Sequence, residues 1–234
     1  MTRATAEMRP PAATAFAYSL ALLLALAGLT APPARGADPA AIRWQTATLE
    51  GHHGKTAEAQ LGRLTVPMRR DAPDAGSVEL ALLRLPSRAA TPGPPIVFLA
   101  GGPGGSGIGA GRIPGYFETF VALTELADVI LLDQRGTGAS TPRLFCPATS
   151  LPSPRLFADW AAARRFLVDG AVACRDTLAA QGVDLAGFHS VESADDLDDL
   201  RHALGAEKIS LLGFSYGTHL AAAAMRRHGE RLHR

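Results

Sequence analysis

The run Ile209-Ser210-Leu211-Leu212-Gly213-Phe214-Ser215-Tyr216-Gly217 decides how this chain is read. Its first four residues, three of them apolar, suit a short strand buried inside a parallel sheet. The next five place a serine between two glycines, and residues 218–227 after them read as a helix. A serine on a sharp strand-to-helix turn needs neighbours without Cβ, because strand and helix close around it. The turn lifts the hydroxyl above the sheet, and the helix N-terminus beneath favours developing negative charge. Ser215 is therefore the candidate nucleophile, with Gly213 and Gly217 shaping the turn. The N–H of Tyr216, the following residue, is a candidate donor to an oxyanion. A merely structural glycine-rich turn is the competing reading, and the strand–turn–helix context weighs against it.

Two further apolar runs lie toward the N-terminus. Ile96-Val97-Phe98-Leu99-Ala100 leads into Gly101-Gly102-Pro103-Gly104-Gly105-Ser106-Gly107, and Val129-Ile130-Leu131-Leu132 leads into Asp133-Gln134-Arg135-Gly136-Thr137-Gly138. In open α/β sheets, ligands bind beyond the carboxyl ends of such strands, so three loops pointing one way are worth more together than any one alone. The glycines of the first loop can turn backbone amides toward a ligand, and Gly102 is the candidate second oxyanion donor. Alone, that loop divides evenly between linker and site. It is no phosphate loop, since no Gly-Lys-Ser/Thr follows. Asp133 and Arg135 are either catalytic or a buried ion pair bracing the loops, and bracing is the ordinary role of charges at strand ends.

Helical patterns separate the runs, at residues 116–126, 156–181 and 193–204, the last with Ser193 as its cap and Gly205 as its stop. Residues 42–51, 60–67 and 77–85 read as strands joined by turns, so the opening section is antiparallel. In 77–85, Val78, Leu80, Leu82 and Leu85 alternate against Glu79 and Arg84. Strands alternating with helices give a mostly parallel, doubly wound α/β sheet with antiparallel N-terminal strands.

In their order and spacing, Ala100-Gly-Gly-Pro-Gly-Gly105, Asp133-Gln-Arg-Gly-Thr-Gly138 and Gly213-Phe-Ser-Tyr-Gly217 resemble the proline iminopeptidase / tripeptidyl aminopeptidase family of α/β-hydrolases. The stretch 193–204 is similar to the helix those enzymes carry ahead of the serine. The resemblance spans residues 44–220, and it implies an α/β-hydrolase fold. No cofactor is expected, and two cysteines without a nearby histidine pair argue against a zinc site. It also implies attack by Ser215 on a carbonyl, an acyl-enzyme, and an oxyanion held by the amides of Tyr216 and Gly102. The substrates implied are peptides cleaved near a free N-terminus. A carboxylesterase on the same fold is the alternative within hydrolases.

Composition narrows the rest. The apolar fraction of 47% is ordinary for a packed protein. A net charge of +1, from 23 basic and 22 acidic residues, gives no case for nucleic acid. Residues 1–36 have a positively charged start, an apolar centre and small residues near the end, the parts of a secretory signal. An uncleaved anchor is the competing reading. The expectation is export, to the periplasm or outside the cell, with no stable membrane association after cleavage. The remaining residues, 37–234, are then the N-terminal part of a hydrolase catalytic domain. In an oxidising compartment the two cysteines, Cys146 and Cys174, favour a disulfide over two buried thiols. The resemblance points the same way.

The acid and base of a triad follow the serine in this fold. His219, His228, His233 and Glu230 lie in or just past the helix that starts at Ser215. His219, one turn along, cannot reach back above the hydroxyl. His52, His53, His189 and His202 read as surface residues. The acid, the base, any lid and the last strands are therefore expected beyond residue 234, with a bare sheet edge left behind. The alternative is a non-catalytic remnant, or half of an assembly completed by another chain.

Overall fold

The computed structural model describes residues 42–146 and 159–234. The signal segment expected over residues 1–36 lies outside them, as does the start of the helix expected from residue 156. Six strands form one sheet: β1 (Arg43–Glu50), β2 (Thr56–Pro67), β3 (Ser77–Leu85), β4 (Ile96–Leu99), β5 (Val129–Asp133) and β6 (Ser210–Gly213). Their order is β1-β2-β3-β5-β4-β6. The pairings from β1 through β3 to β5 are antiparallel, and β5, β4 and β6 run parallel. The crossover reverses at β4, which sits between the two later parallel strands. That is the switch point at which ligands bind in open α/β sheets.

Each parallel strand divides its side chains between two layers. Val97 and Leu99 of β4, with Ile130 and Leu132 of β5, pack on one side against Ala194, Leu197 and Leu200 of α4 (Ser190–Ala203) and Leu220 and Ala224 of α5 (Tyr216–His228). Phe98, Val129 and Leu131 face the other way, onto Phe117 and Phe120 of α2 (Tyr116–Leu123). Burial on both faces explains why these strands read as unbroken apolar runs. Strand β3 behaves alike in its second half. Leu80 and Leu82 enter the first layer, while Leu83 and Leu85 enter the second. Leu85 therefore does not share a face with Leu82, as the alternation had grouped it. A central strand packed on both sides buries both parities.

Several boundaries move for local reasons. A short helix, α1 (Gly107–Ala110), occupies the end of the glycine-rich loop because the Ser106 hydroxyl caps it, accepting from the Gly109 N–H. Helix α4 begins at Ser190 rather than near Ser193, with the His189 ring accepting from the Glu192 N–H. The outer edge of β6 is not bare. Residues 231–234 run parallel beside it: the Ile209 N–H donates to the Arg231 carbonyl (3.2 Å), the His233 N–H to that of Ile209 (2.8 Å) and the Leu211 N–H to that of Arg234 (2.9 Å).

Helix α3 (Trp160–Ala180) is the loosest part of the described fold. It buries Ala163 and Leu178 but leaves Trp160, Leu167, Val168 and Val172 exposed. What ties it down is the disulfide between Cys146 and Cys174, whose Cα atoms stand 5.6 Å apart across a separation of 28 residues. Closing a loop of that size is worth about 3–4 kcal/mol by chain entropy. With so little apolar burial to replace it, Cys174→Ser is expected to strip hydrogen-exchange protection from the α3 amides while leaving the sheet protected. Unchanged protection in α3 would show that its packing holds it without the bridge.

Candidate active site

Ser215 sits between β6 and α5 with φ 52° and ψ −120°, a left-handed conformation that L residues avoid. Apart from His53, it is the one described non-glycine residue with positive φ. Such backbone strain, of order 1–3 kcal/mol, persists only where the surroundings dictate it. Here three close approaches dictate it. A methyl on Gly217 would collide with the carbonyl oxygen of Leu99 in β4. A methyl on Gly213 would lie 2.7 Å from the Gly217 carbonyl. A methyl on Gly101 would lie 2.8 Å from the Ser215 Cβ and 3.4 Å from its hydroxyl oxygen. The Phe214 N–H donates to the Leu99 carbonyl (3.1 Å), binding the turn to the end of β4. Gly217→Ala must push α5 off β4, and is expected to cost about 3 kcal/mol, the upper part of the range for overpacking. Chemical denaturation measures it, and a cost under 0.5 kcal/mol would mean the elbow is not fixed by this contact.

The glycine-rich loop comes to the same point. Gly101 lies against Ser215, and Gly102 adopts φ 124°, open to glycine alone. The backbone N–H groups of Gly102 and Tyr216 donate to no carbonyl among the described backbone bonds. Tyr216 is the first residue of α5, where helix geometry leaves the amide unpaired. Its phenol is held by the Ser190 hydroxyl at 3.0 Å, and its ring stacks on His219 with centroids 5.7 Å apart. His219 is thereby turned along the helix. Among the described residues, no histidine or carboxylate hydrogen-bonds the Ser215 hydroxyl. His52, His53, His189 and His202 are all exposed.

Asp133 and Arg135 brace this end of the sheet, but not by pairing with each other. Asp133 is buried and accepts through Oδ1 from the Ser106 hydroxyl (2.6 Å) and the Ile108 N–H (3.0 Å). Its Oδ2 accepts from the Ala139 N–H (2.7 Å). One carboxylate thus joins the glycine-rich loop to the loop after β5. Arg135 points the other way. Its guanidinium donates to both oxygens of Asp196 in α4 (2.7 and 2.5 Å) and to the carbonyls of Met68 (2.8 Å), Gly187 (2.5 Å) and Pro67 (3.2 Å). Burial pushes the Asp196 carboxyl up from its ordinary value, while Arg135 and Arg70 pull against it. Arg70 also reaches Glu192 and Asp199. Asp133 is the last residue of β5 and Arg135 lies in the turn beyond it, so the strand's period, which would put residues two apart on one face, no longer holds and the pair does not meet. The acidic run Asp195-Asp196-Leu197-Asp198-Asp199 of α4 is the sequence signal for a partner of Arg135.

Two hollows border the elbow, one reaching Gly213 and Phe214 and the other Tyr216. One, of about 300 Å³, is apolar and is walled by Phe98, Tyr116, Phe120, Leu212 and Phe214. The other, of about 330 Å³, opens beside Pro103, Gly104 and Tyr216 and continues over the loop after β5.

Comparison with known proteins gives the family. Residues 94–234 match the protein family described as the alpha/beta hydrolase fold. A serine protease, Hip1, of Mycobacterium tuberculosis is 34% identical over 175 residues, covering 70% of this chain and 32% of that protein. A tripeptidyl aminopeptidase of Streptomyces lividans is 31% identical over 207 residues, covering 81% of this chain and 37% of that protein. The chain thus spans about a third of the length of these relatives.

Proposed function

The chain belongs to the α/β-hydrolase fold family, and on that premise we propose that Ser215 is the nucleophile of a serine peptidase that releases short peptides or residues from a free N-terminus. The observation that carries this reading is the strained Ser215 backbone beside two unspent amides. A serine held at φ 52° with its hydroxyl free is costly to the fold, and attack on a carbonyl is what the arrangement offers in return. A carbonyl oxygen above Ser215 becomes an alkoxide on attack. The N–H groups of Tyr216 and Gly102 are placed to donate to it, and removing such a donor in serine hydrolases costs about 2.7–4 kcal/mol of transition-state stabilisation. The acyl-enzyme forms with departure of the amine, and water then releases the acid. The apolar hollow beside Phe214 suits an apolar side chain of the acyl part. A peptidase is favoured over an esterase by the two relatives, which are named as a protease and an aminopeptidase.

The base and acid that would activate Ser215 are not among the described residues, and the reading requires that they be brought to it. Export and removal of the leader belong to the same reading, with peptide as the partner. A fluorophosphonate tests the nucleophile directly. Labelling at Ser215, located by peptide mass mapping, is the expected result in a form that supplies the base, whereas the chain by itself is expected to be inactive. Failure to label a folded chain restricts any catalytic role to an assembly that holds more than these residues.

A further inference from the structure

The second hollow has a charge character that the nucleophile does not explain. Its wall holds Arg135, Arg143 and His189 and no aspartate or glutamate. Arg135 is spent on Asp196 and three carbonyls. Arg143 is different. Among the described residues it meets no carboxylate, and its guanidinium lies over the Phe145 ring, 4.8 Å from the centroid. Stacking fixes the plane of a guanidinium while leaving its edge N–H groups free to donate. The segment that carries it is pinned three times. The Thr141 N–H donates to the Glu79 carbonyl at 2.9 Å, and the Leu144 N–H to that of Gly136, also at 2.9 Å. Three residues past Arg143 comes the disulfide from Cys146 to Cys174. The backbone that carries Arg143 is thus held in place, and the exposed guanidinium, stacked on Phe145, needs less ordering to meet a ligand than one on a free loop. On the opposite wall His189 uses Nδ1 as acceptor from the Glu192 N–H (3.3 Å), which puts its remaining proton on Nε2. Ser193 and the Tyr216 ring complete that side.

We propose that this hollow binds the terminal carboxylate of a short peptide, with Arg143 as the principal donor and His189 as the second. The proposal rests on Ser215 being the nucleophile of a peptidase, and adds which end of the peptide lies here. An ammonium group needs carboxylates around it, and this wall has none. The free amino end of a substrate is therefore directed elsewhere, and the departing, carboxyl-terminal side lies over the loop after β5. A peptide whose C-terminus is close enough to reach Arg143 gains an ion pair that a long chain or an amide cannot form. The site thus selects short, free-acid peptides.

Isothermal titration of the full chain carrying Ser215→Ala, with tetraalanine, tetraalanine amide and Ala-Ala-Ala-Glu amide, tests this. The free acid is expected to bind at least tenfold more tightly than either amide. Arg143→Gln should bring the acid and its amide within twofold, and Arg143→Lys, which keeps charge but not the planar fork, should leave an intermediate preference. Equal binding of acid and amide, or no binding of either, overturns the proposal. So does a preference that survives Arg143→Gln, and the glutamate-bearing amide binding as well as the acid refutes a terminal-carboxylate site. Fluorophosphonate labelling of the unsubstituted chain is read separately. A chain that labels at Ser215 but does not discriminate loses only this pocket, and one that discriminates but does not label keeps the pocket and confines the catalytic reading to an assembly that supplies the base.

Discussion

In a form of the protein that supplies the base, Ser215→Ala is expected to take fluorophosphonate labelling from one site to none, and Ser215→Gly to do the same while making the fold more stable. The alanine result tests identity. No other described serine has a positive φ, so none of them is expected to substitute for Ser215. In a form of the protein that turns over peptide, the same change should lower kcat by about 10⁶, the scale seen when the serine of a complete triad is removed. The glycine result tests strain. At φ 52° and ψ −120° a Cβ is unfavourable, and glycine removes that penalty. Glycine also loosens the unfolded chain, which takes back up to about 1 kcal/mol. A net gain of about 1 kcal/mol in urea denaturation is the expected balance. Labelling that persists in Ser215→Ala would place the nucleophile elsewhere. A loss of stability in Ser215→Gly would mean the hydroxyl supports the fold rather than the chemistry.

That pairing of strain with reactivity is why the site was the most legible part of the sequence. Glycines at 213 and 217, and a serine between them, answer a steric demand that few structural turns make, and the demand is local. The parallel strands were legible for a related reason: burial on both faces leaves no polar position in Val97-Phe98-Leu99 or Val129-Ile130-Leu131-Leu132. Interactions across long sequence separations were not legible. Ser106 carries no mark of its bond to Asp133, 27 positions away, nor Ser190 of its bond to Tyr216. The same holds for the pairing of residues 231–234 with β6, because four residues are too few for a period. Helix α4 starts three residues before the expected position: Ser193 is the better capping type, but the His189 ring takes the cap by accepting from the Glu192 N–H.

The sharpest case of a long-range interaction is the ion pair between the loop after β5 and α4, and it yields the second large effect. Arg135→Met is expected to destabilise the chain by about 3–5 kcal/mol, because breaking one partner of a buried pair strands the other. The side chains of Arg135 and Asp196 are 2% and 3% exposed, so water cannot replace what is lost. Three carbonyls, of Pro67, Met68 and Gly187, lose a donor at the same time. Asp196 would keep Arg70 at 3.0 Å, which sets the upper bound on the damage. Asp196→Asn should cost less, since an amide retains a carbonyl oxygen for one guanidinium bond and removes the charge that burial opposes. The double variant should therefore be less destabilised than the sum of the singles by more than 1 kcal/mol, the signature of residues in direct contact. Additive costs in urea denaturation would show that the two residues act independently. A cost below 1 kcal/mol for Arg135→Met would mean the loop after β5 is held by Asp133 alone. In either case the folded fraction, once supplied with the base, should still label at Ser215. The bracing lies one layer beneath the reacting atoms, where it positions the wall of the basic hollow without touching a substrate.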